Sequence, residues 1–388
     1  TYYISRQNNN KINTVSRKEP SSVFPTTLVV GTGVVGLTTA YYLAKNGHQV
    51  ICIEKREDVA LETRLLHLAY TDSNYFKHPI PFSSYTRGTL QLATDRSLFD
   101  SLAKDLNQSD TKDQIFSTND EVIRQEPVLE AVRDRIYGGI YNAMDTNGDI
   151  WEFCQNLKEI LVEKYQVKFI FNEEVKGFEV EEIEKQKQYR VTAVLTQNGN
   201  RIDGDNVVIA NGTYMTPLMK QLNVYIPVYP VKGYVVEIIT PPNIPLPLVN
   251  ICDEVKKIYI SALAPNSERG VVRVSGLAEF AGWKDIGVVS EPHRAEYLLK
   301  QTLSWLPHLS SYPTKFYSCS RPVSPDDVPI IGQVRSSAVV YENVYVNGGH
   351  GSKGWTLAFG SSSLLAEIIQ NKTQTSIEST PYAPQRFA

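Results

Sequence analysis

Cysteine is scarce in this chain, and the four present lie far apart. Cys52, Cys154, Cys252 and Cys319 have neither CxxC spacing nor the spacing of a cysteine metal site, so the cysteines show no pattern of a disulfide framework or a metal centre. They read as buried free thiols in a reducing compartment. Basic charge is not in surplus: 39 Lys and Arg stand against 42 Asp and Glu, a net charge of −3. Nothing here offers a nucleic acid the positive field it needs. No apolar run nears the ~20 residues of a membrane-crossing helix, and peripheral membrane contact stays open. A paired Ser/His/Asp set and an HExxH motif are also missing. What remains is globular composition, 42% hydrophobic and 21% charged over 388 residues, enough for two domains with separate cores.

The first 25 residues are polar, rich in Asn and Ser, and carry Arg6, Lys11, Arg17 and Lys18 before the first acid, Glu19. Two readings stand open: the remnant of an organellar transit segment, or a disordered tail. The location expected is correspondingly cytoplasmic or mitochondrial.

The strongest local signal is TTLVVGTGVVGLTTAYYLAKNGHQVICIEKRED, residues 26–58. Leu28-Val29-Val30 predicts a buried strand, and Gly31-Thr32-Gly33-Val34-Val35-Gly36 follows at once. A helical pattern runs to Leu43, Asn46-Gly47 stops it, and Val50–Ile53 predicts a second strand ending in Glu54. Each part has a physical task in holding a dinucleotide. Gly31 makes the tight turn, Gly33 lets the backbone approach a pyrophosphate, and Gly36 lets helix and strand pack closely. The helix start offers N–H groups and partial positive charge to the phosphates. Glu54 is spaced to accept from a ribose diol, and an acid there disfavours a 2′-phosphate. The motif alone does not separate FAD from NAD; Arg56, two residues after Glu54, leans towards FAD.

Further along, 149–165 predicts an amphipathic helix and 167–171 a strand. Strand-like runs follow near 175–181 and 189–196, and Asp205–Gly212 predicts another strand ending in glycine. Residues 225–283 are β-rich, aromatic and broken by prolines, predicting an antiparallel sheet half-buried on one face. A helix is expected over 291–305. The last section returns to strand, glycine loop and helix in YVNGGHGSKGWTLAFGSSSLL, 345–365. Residues 371–388 read as a frayed polar tail.

Five stretches together resemble a known family: GTGVVG with Glu54; TRGTLQL, 86–92; PVYPVKGYVVEI, 227–238; SRPVSPDDVPIIG, 320–332; and NGGHGSKGWTLAFGSSSLLAEII, 347–369. In this order they are similar to the D-amino-acid dehydrogenase small-subunit branch of the D-amino-acid oxidase and glycine oxidase superfamily. The resemblance implies an α/β fold, a Rossmann-type FAD-binding domain with a discontinuous α+β substrate domain built on an antiparallel sheet. The implied bounds are 26–62, 140–222 and 315–370 for the FAD-binding domain, and 63–139 and 223–314 for the substrate domain. It implies FAD as cofactor and an amino acid as small-molecule substrate. Hydride passes from Cα to flavin N5, giving an imino acid that hydrolyses to a 2-oxo acid and ammonia. The electrons go to a quinone, a dye-like carrier or O2.

The resemblance also proposes residues. For the cofactor these are Gly31, Gly33, Val34, Val35, Gly36, Glu54, Lys55, Arg56, Val175 and Gly212 on the nucleotide side. Towards the ring they are Gly349, His350, Gly351, Lys353, Gly354, Trp355 and Thr356. Backbone N–H groups at that second helix start suit negative charge on reduced flavin. Arg321 matches the position that grips the substrate carboxylate, a task for which a planar guanidinium fork is suited; the alternative is a structural pair with Asp326 or Asp327. Tyr234 and Tyr259 are candidates for substrate contact, against the alternative of core or rim tyrosines. His350 is either a chemical participant or a packed loop histidine. A neutral amine positioned over the flavin needs no strong protein base.

One departure is visible. In the family, Glu-Thr after the second strand leads into a small-residue loop and several dozen residues before a helix. Here Glu62-Thr63 runs straight into RLLHLAYTDSNYFKHPI, which resembles that later helix. Two other functions therefore stand beside D-amino-acid oxidation: a flavin-binding module without turnover, and another amine oxidase of the superfamily acting on glycine, sarcosine or proline. No cysteine lies in the GHGSKG loop, which argues against a covalent flavin link.

Overall fold

The protein is described from a computed structural model, which places residues 24–61, 80, 84–85, 88–106, 113–184, 188–263, 270–283, 292–335, 340–372 and 375–387. The junction at 62–64, the helix-like stretch after it and the first two residues of TRGTLQL lie outside them.

In chain order the elements begin with β1 (Thr26–Val30), α1 (Val34–Lys45), β2 (Gln49–Ile53), β3 (Ser84–Tyr85), β4 (Thr89–Ala93), α2 (Arg96–Leu106), β5 (Gln114–Phe116) and α3 (Asn119–Gln125). They continue with β6 (Gly138–Asn142), β7 (Asn147–Gly148), α4 (Ile150–Tyr165), β8 (Lys168–Ile170), β9 (Val175–Glu184), β10 (Gln188–Thr196), β11 (Arg201–Asp203), β12 (Asn206–Ile209) and α5 (Met215–Met219). The remainder is β13 (Tyr229–Thr240), β14 (Asn250–Asp253), β15 (Ile258–Leu263), β16 (Gly270–Glu279), α6 (Pro292–Trp305), β17 (Thr314–Val323), β18 (Ile330–Arg335), β19 (Val340–Gly348) and α7 (Gly354–Ile369).

The chain divides into two compact units. The first takes residues 1–63, 154–230 and 321–388; the second takes 64–153 and 231–320. In the first unit, β8-β2-β1-β12-β19 run side by side and parallel. Parallel neighbours need crossovers, and β1-α1-β2 is one. The strands are near-continuous apolar runs because both faces are covered. On one face Leu28, Val30, Val207 and Ile209 join Met215, Leu218 and Phe178 in the core. On the other lie α1 and α7, packed against each other. An antiparallel ribbon, β9-β10-β11, extends the sheet where β10 meets β19.

The second unit is built on the sheet β17-β13-β16-β15-β14-β4-β6-β5. Leu90, Ile251, Ile260, Val274 and Val236 face Leu298, Trp305 and Leu309 on and just after α6. Burying such a leucine or isoleucine contributes roughly 1.5–3 kcal/mol. Within 225–283, β13, β16, β15 and β14 pair antiparallel as expected; β4 joins β14 in parallel, so the whole sheet is mixed. One expectation changes: β13 is not half-buried, since every residue from Pro230 to Val236 is buried. The opposite face carries a polar row in register across five strands, Thr89, Asn250, Ser261, Arg273 and Glu237, and it is largely buried too. Asn250 accepts from Ser261 at 2.6 Å and Arg273 donates to Glu237 at 2.9 Å, so the row is satisfied internally.

Residues 375–387, expected to fray, are docked instead. Arg386 donates to the Asp326 carboxylate and the Val328 carbonyl, Gln385 donates to Gln333 O, and Phe387 packs against the first unit's core. An arginine near the end of a polar stretch found two acceptors on one turn, and that is what composition does not show.

Candidate active site

Three neighbouring parallel strands, β1, β12 and β19, deliver their turns to one edge of the first unit's sheet. After β1, Gly31 has φ +98° and donates its N–H to Ile53 O at 2.9 Å. A Cβ there would lie 2.7 Å from Asn211 Cα, and one on Gly36 would lie 2.0 Å from Gly31 O. Turn, strand and helix are therefore in mutual contact through absent side chains. Gly33 caps α1 with no side-chain hydrogen bond, so the first-turn amides around Val34 and Val35 keep their anion-binding capacity.

Glu54, at the end of β2, is 9% exposed. Its Oε2 accepts from Thr32 N at 2.9 Å and Thr32 Oγ1 at 2.8 Å, and its Oε1 accepts from Arg56 N at 3.0 Å. The carboxylate so braces the glycine turn against the 54–56 turn. Glu54 O accepts from Glu173 N, and Arg56 O from Asn172 N, which brings Val175, buried at the head of β9, to the same side. Lys55 Nζ sits 3.2 Å from the Tyr214 ring centroid. After β12, Gly212 has φ +59° and open space where its Cβ would be. The neighbouring Asn211 Oδ1 is a buried acceptor with no partner among the described residues.

After β19 comes the second glycine turn. Gly349 and Gly351 have φ of +73° and +57°, the left-handed region that glycine enters without strain. Gly351 N donates to Pro322 O at 2.7 Å, and His350 bridges to Val323. The turn feeds α7, whose cap, Lys353, also makes no side-chain cap bond; its ammonium pairs with Asp327 at 2.6 Å. Gly354 opens the helix, Trp355 is buried and Thr356 exposed.

Behind these two helix starts, α1 and α7 are pinned by a buried polar cluster that the sequence reading missed. Ser362 Oγ lies 2.8 Å from Thr38 Oγ1 and 3.1 Å from Thr39 Oγ1, and Asn347 Nδ2 donates to Thr39 Oγ1 at 3.0 Å. Asn347 is the residue before the second glycine turn. The available signal was small polar residues on the buried stripe of two otherwise apolar helices.

Two of the residues expected to be catalytic are buried and hydrogen-bonded within the protein. Tyr234 is fully buried in the second unit's core, with its hydroxyl donating to Glu279 at 2.6 Å. His350 is 2% exposed, its Nε2 lies 3.0 Å from Ser361 Oγ, and burial pushes its pKa down to about 4. Its ring is therefore neutral near pH 7, with one N–H, and takes up no second proton there. Tyr259 stands on the polar face of the second unit's sheet, beside Cys252 and Ser275 in register, and is 36% exposed. Arg321 is half-buried near the end of β17. Asp326 pairs with Arg386 and Asp327 with Lys353.

This donor set fits a dinucleotide with a second, ring-side contact: two uncapped helix starts on one sheet edge, an acid at the end of β2 and an orphaned acceptor between them. The chain belongs to the FAD dependent oxidoreductase (DAO) family, which matches residues 26–65 and 76–368. It is accordingly an enzyme of the oxidoreductase class. Among its relatives is a D-amino acid dehydrogenase of Vibrio vulnificus (strain YJ016), 29% identical and covering 92% of this chain and 99% of its own. Another, of Sinorhizobium medicae (strain WSM419), is 28% identical over 93% and 99%. The fold is that of glycine oxidase from Geobacillus kaustophilus, TM-score 0.75 at 19% identity over 94% and 98% of the two chains. L-proline dehydrogenase from P. horikoshii shares it, at TM-score 0.72 and 21% identity over 94% and 98%. The alignment to the Vibrio protein runs over 436 positions, more than the 388 residues of this chain, so that relative has stretches this chain lacks.

Proposed function

We propose that this protein binds FAD and oxidises D-amino acids to imino acids, which water converts to 2-oxo acids and ammonia. The observation that carries the reading is the pair of glycine-turn helix starts, α1 and α7, on neighbouring parallel strands and locked together by Ser362. FAD, when bound, supplies the acceptor for the hydride leaving the substrate Cα. The α1 amides would hold the diphosphate, and Glu54, which accepts from Thr32 in this structure, would accept from the ribose hydroxyls. The α7 amides would hold the ring end of the cofactor, where a helix start favours negative charge. Arg321 takes the substrate carboxylate as a bidentate partner. The substrate amine enters neutral, having lost its proton to water, so no protein base is required, consistent with a buried neutral His350. The electrons leave for a quinone, a dye-like carrier or O2.

The names of the curated relatives support the D-amino-acid class over glycine or proline, whose enzymes share the fold at about 20% identity. A second reading, flavin binding without turnover, draws on the stretches present in the Vibrio relative and absent here. Turnover of a D-amino-acid panel against L-amino acids, glycine, sarcosine and proline, with a dye acceptor, separates these. D-specific activity supports the first reading. Activity confined to glycine, sarcosine or proline overturns it, and bound flavin with no activity favours the second.

A further inference from the structure

The segment 375–387 does more than cover the sheet. Arg386 Nε donates to Asp326 Oδ2 at 2.8 Å and its Nη2 to Asp326 Oδ1 at 3.1 Å, a two-pronged pair. The same Nη2 reaches Val328 O at 2.7 Å. Its Nη1 is satisfied by Tyr382 O and Ala383 O within its own segment. The Arg386 side chain is only 17% exposed, its guanidinium lies 4.4 Å from the Phe387 ring centroid, and Phe387, partly buried, packs against the apolar core. The pairing holds the Asp326 carboxyl down at about 2.

What Arg386 grips is the turn between Arg321 and the ring-side loop. Within that turn, Ser324 Oγ donates to Val328 O, Val328 N donates to Asp326 Oδ1, and Asp327 sits at φ +56°. On its far side the turn is stitched to the second glycine loop three times. Gly351 N donates to Pro322 O, Val323 bridges to His350, and Lys353 pairs with Asp327. The turn is held between the 375–387 segment and the flavin-side loop, and Arg321 stands at its start.

We infer that Arg386 is a positioning residue: through Asp326 it sets the 321–328 turn, and with it the aim of Arg321 and the seat of the His350–Lys353 loop. It touches neither substrate nor cofactor. The inference rests on the proposed role of Arg321, and a readout independent of that role is available. A carboxylate fork held by two charge-assisted bonds constrains orientation as well as distance. A loosened Arg321 loses affinity for a carboxylate before the reacting atoms are disturbed.

The test uses the full chain loaded with FAD, comparing wild type with Arg386→Gln, Arg386→Lys and Asp326→Asn. Hydrogen exchange at Val328 and Gly351 is read first, because it needs no turnover. Arg386→Gln should speed both about tenfold, a 1.4 kcal/mol loss of local protection, while amides of β1 and β12 exchange as in wild type. Unchanged exchange at Val328 and Gly351 overturns the inference whatever the enzyme's activity. The dissociation constant of propionate, read from the flavin spectrum, and KM for D-alanine should each rise about tenfold in Arg386→Gln with kcat within about twofold. Arg386→Lys should restore part of this, and Asp326→Asn should add nothing to Arg386→Gln in the double variant. Faster exchange with unchanged propionate affinity and KM would leave the clamp in place and refute its role in aiming Arg321. A wild type that ignores propionate and D-alanine would instead overturn the functional reading, the exchange result standing by itself.

Discussion

Two glycine-to-alanine changes in the first unit should move stability in opposite directions. At Gly36 the new methyl would lie 2.0 Å from Gly31 O and 2.9 Å from Gly31 C, about 1.5 Å short of an ordinary carbon contact. The obstacle is backbone, so no rotamer change relieves it, and the 31–33 turn must retreat from the helix. Overpacking of this kind costs roughly 1–3 kcal/mol, and the upper end applies. A loss of about 3 kcal/mol lowers Tm by on the order of 10 °C in a unit of this size. A shift of more than ~1 Å in the phosphate-binding turn should also weaken FAD binding about a hundredfold. At Gly360, exposed in the middle of α7, nothing lies within 4 Å of the same methyl. There alanine should add about 0.5–1 kcal/mol through helix propensity alone. Thermal melts with and without FAD, and an FAD titration of each variant, read both effects. Gly36→Ala with wild-type Tm and FAD affinity, or two alanines that shift Tm the same way, would refute the close-packing argument.

The buried His350 makes stability pH-dependent. Its pKa is near 4 in the fold against 6.5 unfolded, so between those values the unfolded chain holds a proton the native chain does not. Stability should therefore fall by about 3 kcal/mol as pH drops from 6.5 to 4, His350→Gln should flatten that slope in urea titrations, and no step in the rate profile between pH 5 and 8 should belong to this ring. In the second unit, Glu126 is fully buried and accepts from Leu248 N at 2.6 Å and Val249 N at 2.9 Å; Glu126→Ala strands both donors and should cost about 3–5 kcal/mol by chemical denaturation. Ser362→Ala breaks the α1–α7 lock, so FAD, which spans both helix starts, should bind about tenfold more weakly while ADP, held by the first alone, binds within about twofold of wild type. Equal losses for both ligands would show that Ser362 merely supports the fold.

The parts legible in the sequence were those encoded locally. Leu28–Val30, Gly31-x-Gly33-x-x-Gly36 and Glu54 specify strand, turn, helix and second strand within thirty residues, and the structure has these elements, with Gly31 at positive φ and Gly36 packed on its carbonyl. The same holds for β19, its glycine turn and α7. Features made by residues far apart were not legible. Thr38 and Ser362 are 324 positions apart, and Asp326 and Arg386 are 60 apart; periodicity says which face is buried, not what it meets. Tyr234 shows the limit from the other side. Its KGY context suggested a site, whereas register with β16 sends its ring into a core where Glu279 supplies the acceptor its hydroxyl needs.

The central claim is tested most directly by one spectrum: protein reconstituted with FAD and freed of excess, held anaerobically, before and after D-alanine. The account predicts a yellow protein whose visible flavin band bleaches with D-alanine and stays with L-alanine. A protein that remains colourless after exposure to FAD, or a bound flavin that no D-amino acid reduces, would contradict it.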